Sequence, residues 1–415
     1  MADTNSPSIP NYSADDPVVA QYERWQYPAP VADLADPAAA AYLRSYNTLD
    51  NLAPIYWPAG SARTDLDVLV AGCGTMAAAC YALLNPHCRV VGIDVSQAAL
   101  AHEQRLKDRH KLDNLTLHHC PIERVASLDM SFDFVGCQGV LHHMPDPVAG
   151  LRALGGVLRR DGVIAIMVYA KYGRTGVYML QDLFRLIGVE QTSQGVAVVR
   201  ETLANLPADH PVQAYRRHAT DLGSDAGLVD TFLHPRDRAF SVGDCLSLVT
   251  DAGMAFQNWD RNFFYYPEGP FQNVPALCHR LARLPDEQLW QAMELAFGAV
   301  GVHYFHVCRR DRDIANYRVP WGSQRLLDCI PLVSAKLIRG EGPNRRPVWS
   351  MAQAGLPPVS LSEAQAAIFS HVNGQRTIRD CMAAAGVRGE ATLLLDVARD
   401  FLRRVWRCGF GVIRW

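Results

Sequence analysis

The sequence predicts an α/β fold: a doubly wound, mostly parallel sheet carrying a helical insertion, followed by a small unit at the C-terminus. Three observations carry that expectation. Short apolar runs alternate with helical patterns from Asp67 to Tyr169, and such alternation builds parallel sheets with right-handed crossovers. The first run, Asp67-Val-Leu-Val-Ala-Gly-Cys-Gly-Thr-Met76, ends in two glycines and enters an Ala-rich helical stretch at once. The second, Arg89-Val-Val-Gly-Ile-Asp94, ends in a carboxylate. An acid about 20 residues beyond a glycine turn, at the end of the second strand, binds ribose hydroxyls.

In chain order, residues 1–17 are rich in Ser, Asn, Asp and Pro, a composition that does not fold alone. An aromatic cluster, Gln21-Tyr-Glu-Arg-Trp-Gln-Tyr-Pro28, and a helix expected over 37–52 complete an N-terminal arm over 1–60. It reads either as a packing arm or as a lid over a ligand crevice, with Tyr22 and Tyr27 as its tips. Strands are expected over 67–71, 89–93, 115–119, 133–137 and 162–169, with helices over 76–84, 96–110 and 147–158. Thr75 is placed to cap the first of these helices. An insertion over 171–240 holds two expected helices, Val177–Ile187 and Gly195–Leu206. A helix over 242–253, a strand Ala255–Asp260 and a strand His303–Cys308 close a core spanning 61–312. Residues 313–347 read as a linker. Residues 348–415 read as a separate unit with three helices, the first capped by Ser362 and the second by Thr377.

Gly72-x-Gly74 followed by Ala77 also suits a dinucleotide site. The wider context favours another ligand. Ala71-Gly-Cys-Gly74, Gly92-Ile-Asp-Val-Ser96 and Asp133-Phe-Val-Gly-Cys-Gln-Gly-Val-Leu-His-His-Met-Pro-Asp-Pro147 together resemble the class I S-adenosylmethionine-dependent methyltransferases. The resemblance covers residues 65–170 and continues more weakly to about 310. It implies a Rossmann-like sheet of seven strands, the last one antiparallel, with S-adenosylmethionine as cofactor. Residues 348–415 are similar to PqqD-like winged-helix domains, which recognise peptides.

The resemblance also assigns candidate cofactor contacts: Gly72, Cys73 and Gly74 at the turn, Asp94 and Val95 at the ribose, the Ile122 N–H at the adenine, and Cys137 and Gln138 beside the methionine portion. Tyr22 and Tyr27 would cover them. The family often carries an acid near Pro121, which proline cannot replace. Histidine can accept a proton near neutral pH, so His143, and after it His142, are candidate bases; both also suit a wall role. Asp230, His234 and Tyr169 sit at the mouth of the insertion and could orient an acceptor, or form a salt-bridged turn.

At 415 residues, with a net charge of −2 and no long basic run, the chain offers no nucleic-acid surface. Eleven cysteines without a C-x-x-C pair read as reduced thiols, and no metal cluster is expected. No apolar run reaches ~18 residues. A cytoplasmic protein without a membrane partner is therefore expected, and a homodimer is left open. Three functions fit: methylation of N or O on a small molecule, methylation of a peptide or protein side chain held by residues 348–415, and cofactor binding without catalysis.

Overall fold

The computed structural model describes residues 16–36, 39, 43, 48–61, 63–342 and 345–415. Seven strands form one sheet: β1 (Asp67–Ala71), β2 (Arg89–Asp94), β3 (Leu115–His119), β4 (Phe132–Gln138), β5 (Leu158–Tyr169), β6 (Met254–Trp259) and β7 (Val302–Arg309). Their order is β3-β2-β1-β4-β5-β7-β6, with β7 antiparallel to both neighbours. This is the Rossmann-like arrangement expected. The order reverses between β1 and β4, so the crevice outside their carboxyl ends is where a ligand binds. Gly72–Gly74 and Gln138–Gly139 meet there.

Helices cover both faces of the sheet. On one side lie α2 (Leu49–Tyr56), α3 (Ala77–Leu84) and α4 (Gln97–His110), burying Val68, Val70, Val90 and Phe134. On the other lie α5 (Pro147–Gly156), α10 (Val242–Asp251) and α12 (Asp286–Phe297), over Leu69, Val91, Val135 and Ile164. Alternate residues of each strand thus feed opposite cores, as the pleat requires.

The start of α3 corrects one expectation. Thr75 does not cap it; its hydroxyl donates to the Pro28 carbonyl of the arm at 2.8 Å. Glu103 of α4 takes the cap role instead, accepting the N–H groups of Ala78 and Ala79 at 2.8 and 2.9 Å. Burial pushes this carboxyl up to about 8 despite those two bonds.

The helix expected over 37–52 falls largely outside the described residues; α2 begins at Leu49. Ahead of the core, α1 (Pro17–Arg24) is capped by Asp16, which accepts the Val18 N–H at 2.8 Å. The insertion holds four helices rather than two: α6 (Thr175–Leu186), α7 (Ser193–Asn205), α8 (Val212–Arg216) and α9 (Asp225–Phe232). They bury their own apolar cluster around Val177, Phe184, Val199 and Phe232.

The linker reading of 313–347 is corrected. Leu326, Leu327 and Cys329 are buried in the C-terminal core, and β8 (Ile330–Val333) pairs with the final strand β12 (Gly411–Arg414). β9 (Lys336–Glu341), β10 (Pro347–Gln353) and β11 (Leu356–Leu361) form an antiparallel sheet, followed by α13 (Glu363–Phe369), α14 (Ile378–Ala384) and α15 (Ala391–Arg407). α11 (Pro275–Leu281) precedes α12 in the core. Within it Ile330-Pro-Leu-Val333 is itself a short apolar run, which the linker reading passed over.

The C-terminal unit is packed onto the core. Trp406 belongs to both apolar clusters. Asn262 donates to the Trp406 carbonyl at 3.2 Å, Arg407 pairs with Glu268 at 2.6 Å, and the Trp415 N–H donates to the Pro58 carbonyl at 2.9 Å. A chain ending at residue 315 bares the core side of these contacts. It is expected to aggregate, or to melt more than ~5 °C lower, since one lost kcal/mol shifts a midpoint by several degrees. A thermal melt equal to that of the full chain would show the two parts to be independent.

Candidate active site

A cavity of about 250 Å³ opens at the switch point. Its floor is the turn after β1. Gly72 and Gly74 both have positive φ, +71° and +55°, which side chains resist. A Cβ on Gly72 would run into the Val140 side chain, and one on Gly74 would lie 3.0 Å from the Tyr27 carbonyl oxygen. Asp94, at the end of β2, accepts the Gly74 N–H at 2.8 Å and the Ser96 N–H at 2.9 Å. Its carboxylate is thereby fixed in the crevice, and burial raises its pKa above the usual carboxylate range.

Of the residues singled out in the sequence, Gly72, Cys73, Gly74, Asp94, Val95, Ile122, Gln138, Tyr22, Tyr27, His143, Tyr169 and Asp230 all line this cavity. Cys137 does not. It is fully buried in the core beneath β4 while Gly136 and Gln138 face the cavity, a consequence of the two-residue pleat. His142 does not reach the cavity either. His234 stands one layer back, its ring stacked on His143 with centroids 3.8 Å apart.

Glu123 lines the cavity and was missed. It lies two residues beyond Pro121, where an acid was sought, and its Oε2 is buried without a hydrogen-bond partner among the described residues. Burial raises its pKa. Tyr304 and Met144 also line the cavity and carried no signal in the sequence.

At the far end the polar groups form a defined network. Tyr22, reaching in from α1, donates to Asp230 Oδ1 at 3.0 Å, and Tyr169 donates to Oδ2 at 3.1 Å. Burial, followed by the charge of Asp230, raises both phenols far above their ordinary value, so they remain donors. The Asp230 carboxyl is itself raised by burial. Behind Tyr169 the Arg174 guanidinium lies 3.6 Å from the ring centroid, fully buried.

The two central histidines hold opposite tautomers. His143 Nδ1 is 2.8 Å from the Arg236 carbonyl, which only accepts, so Nδ1 carries the proton and Nε2 keeps the lone pair. His234 Nδ1 accepts the Arg236 N–H at 3.0 Å, so in the neutral ring Nε2 carries the proton and faces the Tyr22 oxygen at 3.3 Å. His143, Asp230 and His234 bring ligand atoms within 4.8 Å of one another, as a metal site would. The donor set does not fit one: His234 has no free lone pair, with Nδ1 occupied and Nε2 protonated. A second group, His142, His143 and Asp237, also brings ligand atoms within 4.8 Å of one another.

The arm is fastened over the crevice. Arg236 pairs with Asp16 at 2.9 Å, the Tyr27 hydroxyl donates to Asp221 at 2.6 Å, and Gln191 donates to Gln21 at 2.6 Å.

Two predictions arise from this geometry. Asp94→Ala should weaken a ribose-bearing ligand by on the order of 2 kcal/mol, ~30-fold, by removing charge-assisted bonds and freeing the Gly74 turn. Calorimetry with the cofactor checks it; unchanged affinity would place the ribose elsewhere. His142 is wholly buried, with both ring nitrogens unpartnered among the described residues, and burial pushes its pKa well below the ordinary value. The unfolded chain therefore takes up a proton below ~6.5 that the folded one refuses. Stability should fall with acidity by up to about 1.4 kcal/mol per pH unit for this group. His142→Phe should flatten that slope by one proton in denaturant titrations between pH 7 and 5; an unaltered slope would refute it.

Comparison with known proteins agrees with this arrangement. Residues 63–207 match the family described as a methyltransferase domain. An uncharacterized protein of Synechococcus sp. is 27% identical over 342 residues, covering 81% of this chain and 79% of its own. The structure of PKMT2 from Rickettsia typhi superposes with a TM-score of 0.60 at 13% identity, covering 90% of this chain and 74% of that one. Its complex with AdoHcy gives the same TM-score at 14% identity, covering 90% and 75%. Among the described residues no helix is long and apolar enough to cross a membrane.

Proposed function

We infer the acceptor from one premise: residues 63–207 are a class I S-adenosylmethionine-dependent methyltransferase domain, and the chain is an enzyme using that cofactor. The reading we propose is transfer of the methyl to the nitrogen of a small-molecule amine. The observation that supports it is the buried Asp230 carboxylate at the end of the cavity, with a ring nitrogen of His143 within 4.8 Å of it.

Bound S-adenosylmethionine supplies a methyl already activated on a sulfonium. The residues present suit it: a turn with glycines at 72 and 74, the fixed Asp94 carboxylate for ribose hydroxyls, and the Glu123 Oε2 with the Ile122 N–H for adenine. Asp230, held by Tyr22 and Tyr169, attracts and orients an ammonium. His143 Nε2 takes the proton that must leave before nitrogen can attack. The arm excludes water while the two centres are aligned.

A second reading places the amine on a peptide. It is favoured by β9, which pairs with β10 alone and has a largely exposed surface, the kind of edge that accepts an added strand. Three strands followed by three helices also support the winged-helix reading of this unit. Incubating the enzyme with labelled methyl donor and fractionated lysate separates these. Label in the small-molecule fraction supports the first reading and label in polypeptide the second. Label in neither would favour a cofactor-binding protein without transferase activity.

A further inference from the structure

The C-terminal unit and the core enclose a second cavity, of about 900 Å³. It shares no lining residue with the cofactor cavity. Sites for small ligands run to roughly 300–1,000 Å³ and favour the boundary between units. One wall comes from the sheet edge at β6, through Trp259, and from Trp290 of α12. The opposite wall comes from α15, through Arg403 and Trp406, with Trp321 beside them.

Three buried donors on side chains that line this space, Trp259 Nε1, Trp290 Nε1 and Arg403 Nε, have no partner among the described residues, nor does the acceptor Asn262 Oδ1. The Trp259 indole is 1% exposed and its N–H has no partner among the described residues. Arg403 has a buried Nε without a partner, and no ion pair is formed by this side chain among the described residues. Its neighbours on α15 are answered: Arg407 by Glu268 at 2.6 Å, and Arg399 by Asp396 at 2.8 Å. Burial, and then the charges of Arg407 and Arg399, pull the Arg403 pKa down, against a partial offset from Asp286 and Glu268. Its guanidinium lies 5.5 Å from the Trp321 ring centroid. An indole N–H and a guanidinium only donate, so an occupant must bring acceptor oxygens. The surrounding indoles call for a flat, apolar body.

We propose that this cavity is a second small-molecule site, taking an anionic ligand with an aromatic body, its acid group at Arg403 and its ring against Trp321 and Trp406. The site is separate from the methyl-transfer centre and does not depend on the identity of the acceptor.

The test uses the full chain, 8-anilinonaphthalene-1-sulfonate as an anionic aromatic probe and N-phenyl-1-naphthylamine as its uncharged counterpart, both followed by fluorescence titration. The sulfonate should bind with one-to-one stoichiometry and resist displacement by saturating S-adenosylhomocysteine. Arg403→Gln should weaken the sulfonate by about tenfold, the loss of a charge-assisted contact, and the uncharged probe by less than about twofold. Val372→Trp, which fills the cavity from its lining, should block both. If this variant does not fold, the charge comparison in Arg403→Gln decides alone. Equal sulfonate affinity in wild type and Arg403→Gln would mean adventitious probe binding only and overturn the site. Displacement by S-adenosylhomocysteine would assign the signal to the cofactor cavity and also overturn it.

Discussion

His143→Ala is expected to lower turnover ~10²–10⁴-fold while cofactor affinity stays nearly constant. The Arg236 carbonyl fixes the proton on Nδ1, which aims the lone pair of Nε2 at the cavity that Asp230 closes. Removing the ring removes the proton acceptor but no part of the glycine turn or the ribose carboxylate. His142→Ala gives the contrast: its ring does not line the cavity, so chemistry should survive while stability drops. A variant at 143 with normal turnover would remove base catalysis by this histidine and leave alignment as the device. Reduced affinity with normal turnover would instead make the ring a wall of the cofactor site.

The second large effect is expected at the turn. Gly72→Val puts a branched side chain at φ +71° and drives its Cβ into Val140, on the loop after β4. Left-handed backbone strain costs roughly 1–3 kcal/mol, and overpacking roughly 1–3 kcal/mol more. The loop holding Val140 also holds Gly139 and leads to His143, so it can relieve the clash only by moving the cavity wall. Cofactor binding should therefore fall at least ~100-fold by calorimetry, in a protein whose circular dichroism still reports the fold. Unchanged affinity in the folded variant would sink this placement of the cofactor.

The central strands were legible because each is a short apolar run ending at a turn. The glycines and Asp94 were legible because their spacing follows from strand, turn and helix geometry. Side-chain direction was harder to read. Cys137 and Gln138 are neighbours in one quoted stretch, yet the pleat sends one into the core and the other into the cavity. His142 and His143 differ in the same way, across a turn whose geometry no periodicity announces. Glu123 stood in plain view beside Pro121, but a short helical turn from Ile122 was needed to bring it to the wall. Long-range partners left no trace: Glu103 capping α3 and Tyr22 on Asp230 each join residues far apart in the chain. The linker reading passed over the apolar run Ile330-Pro-Leu-Val333, whose partner β12 lies more than seventy residues later.

Tyr22 belongs to the arm by sequence and to the acceptor wall by position. The same hydroxyl that fastens the cover also orients Asp230. Any displacement of the arm would therefore take the Tyr22 hydroxyl away from Asp230 Oδ1 as well.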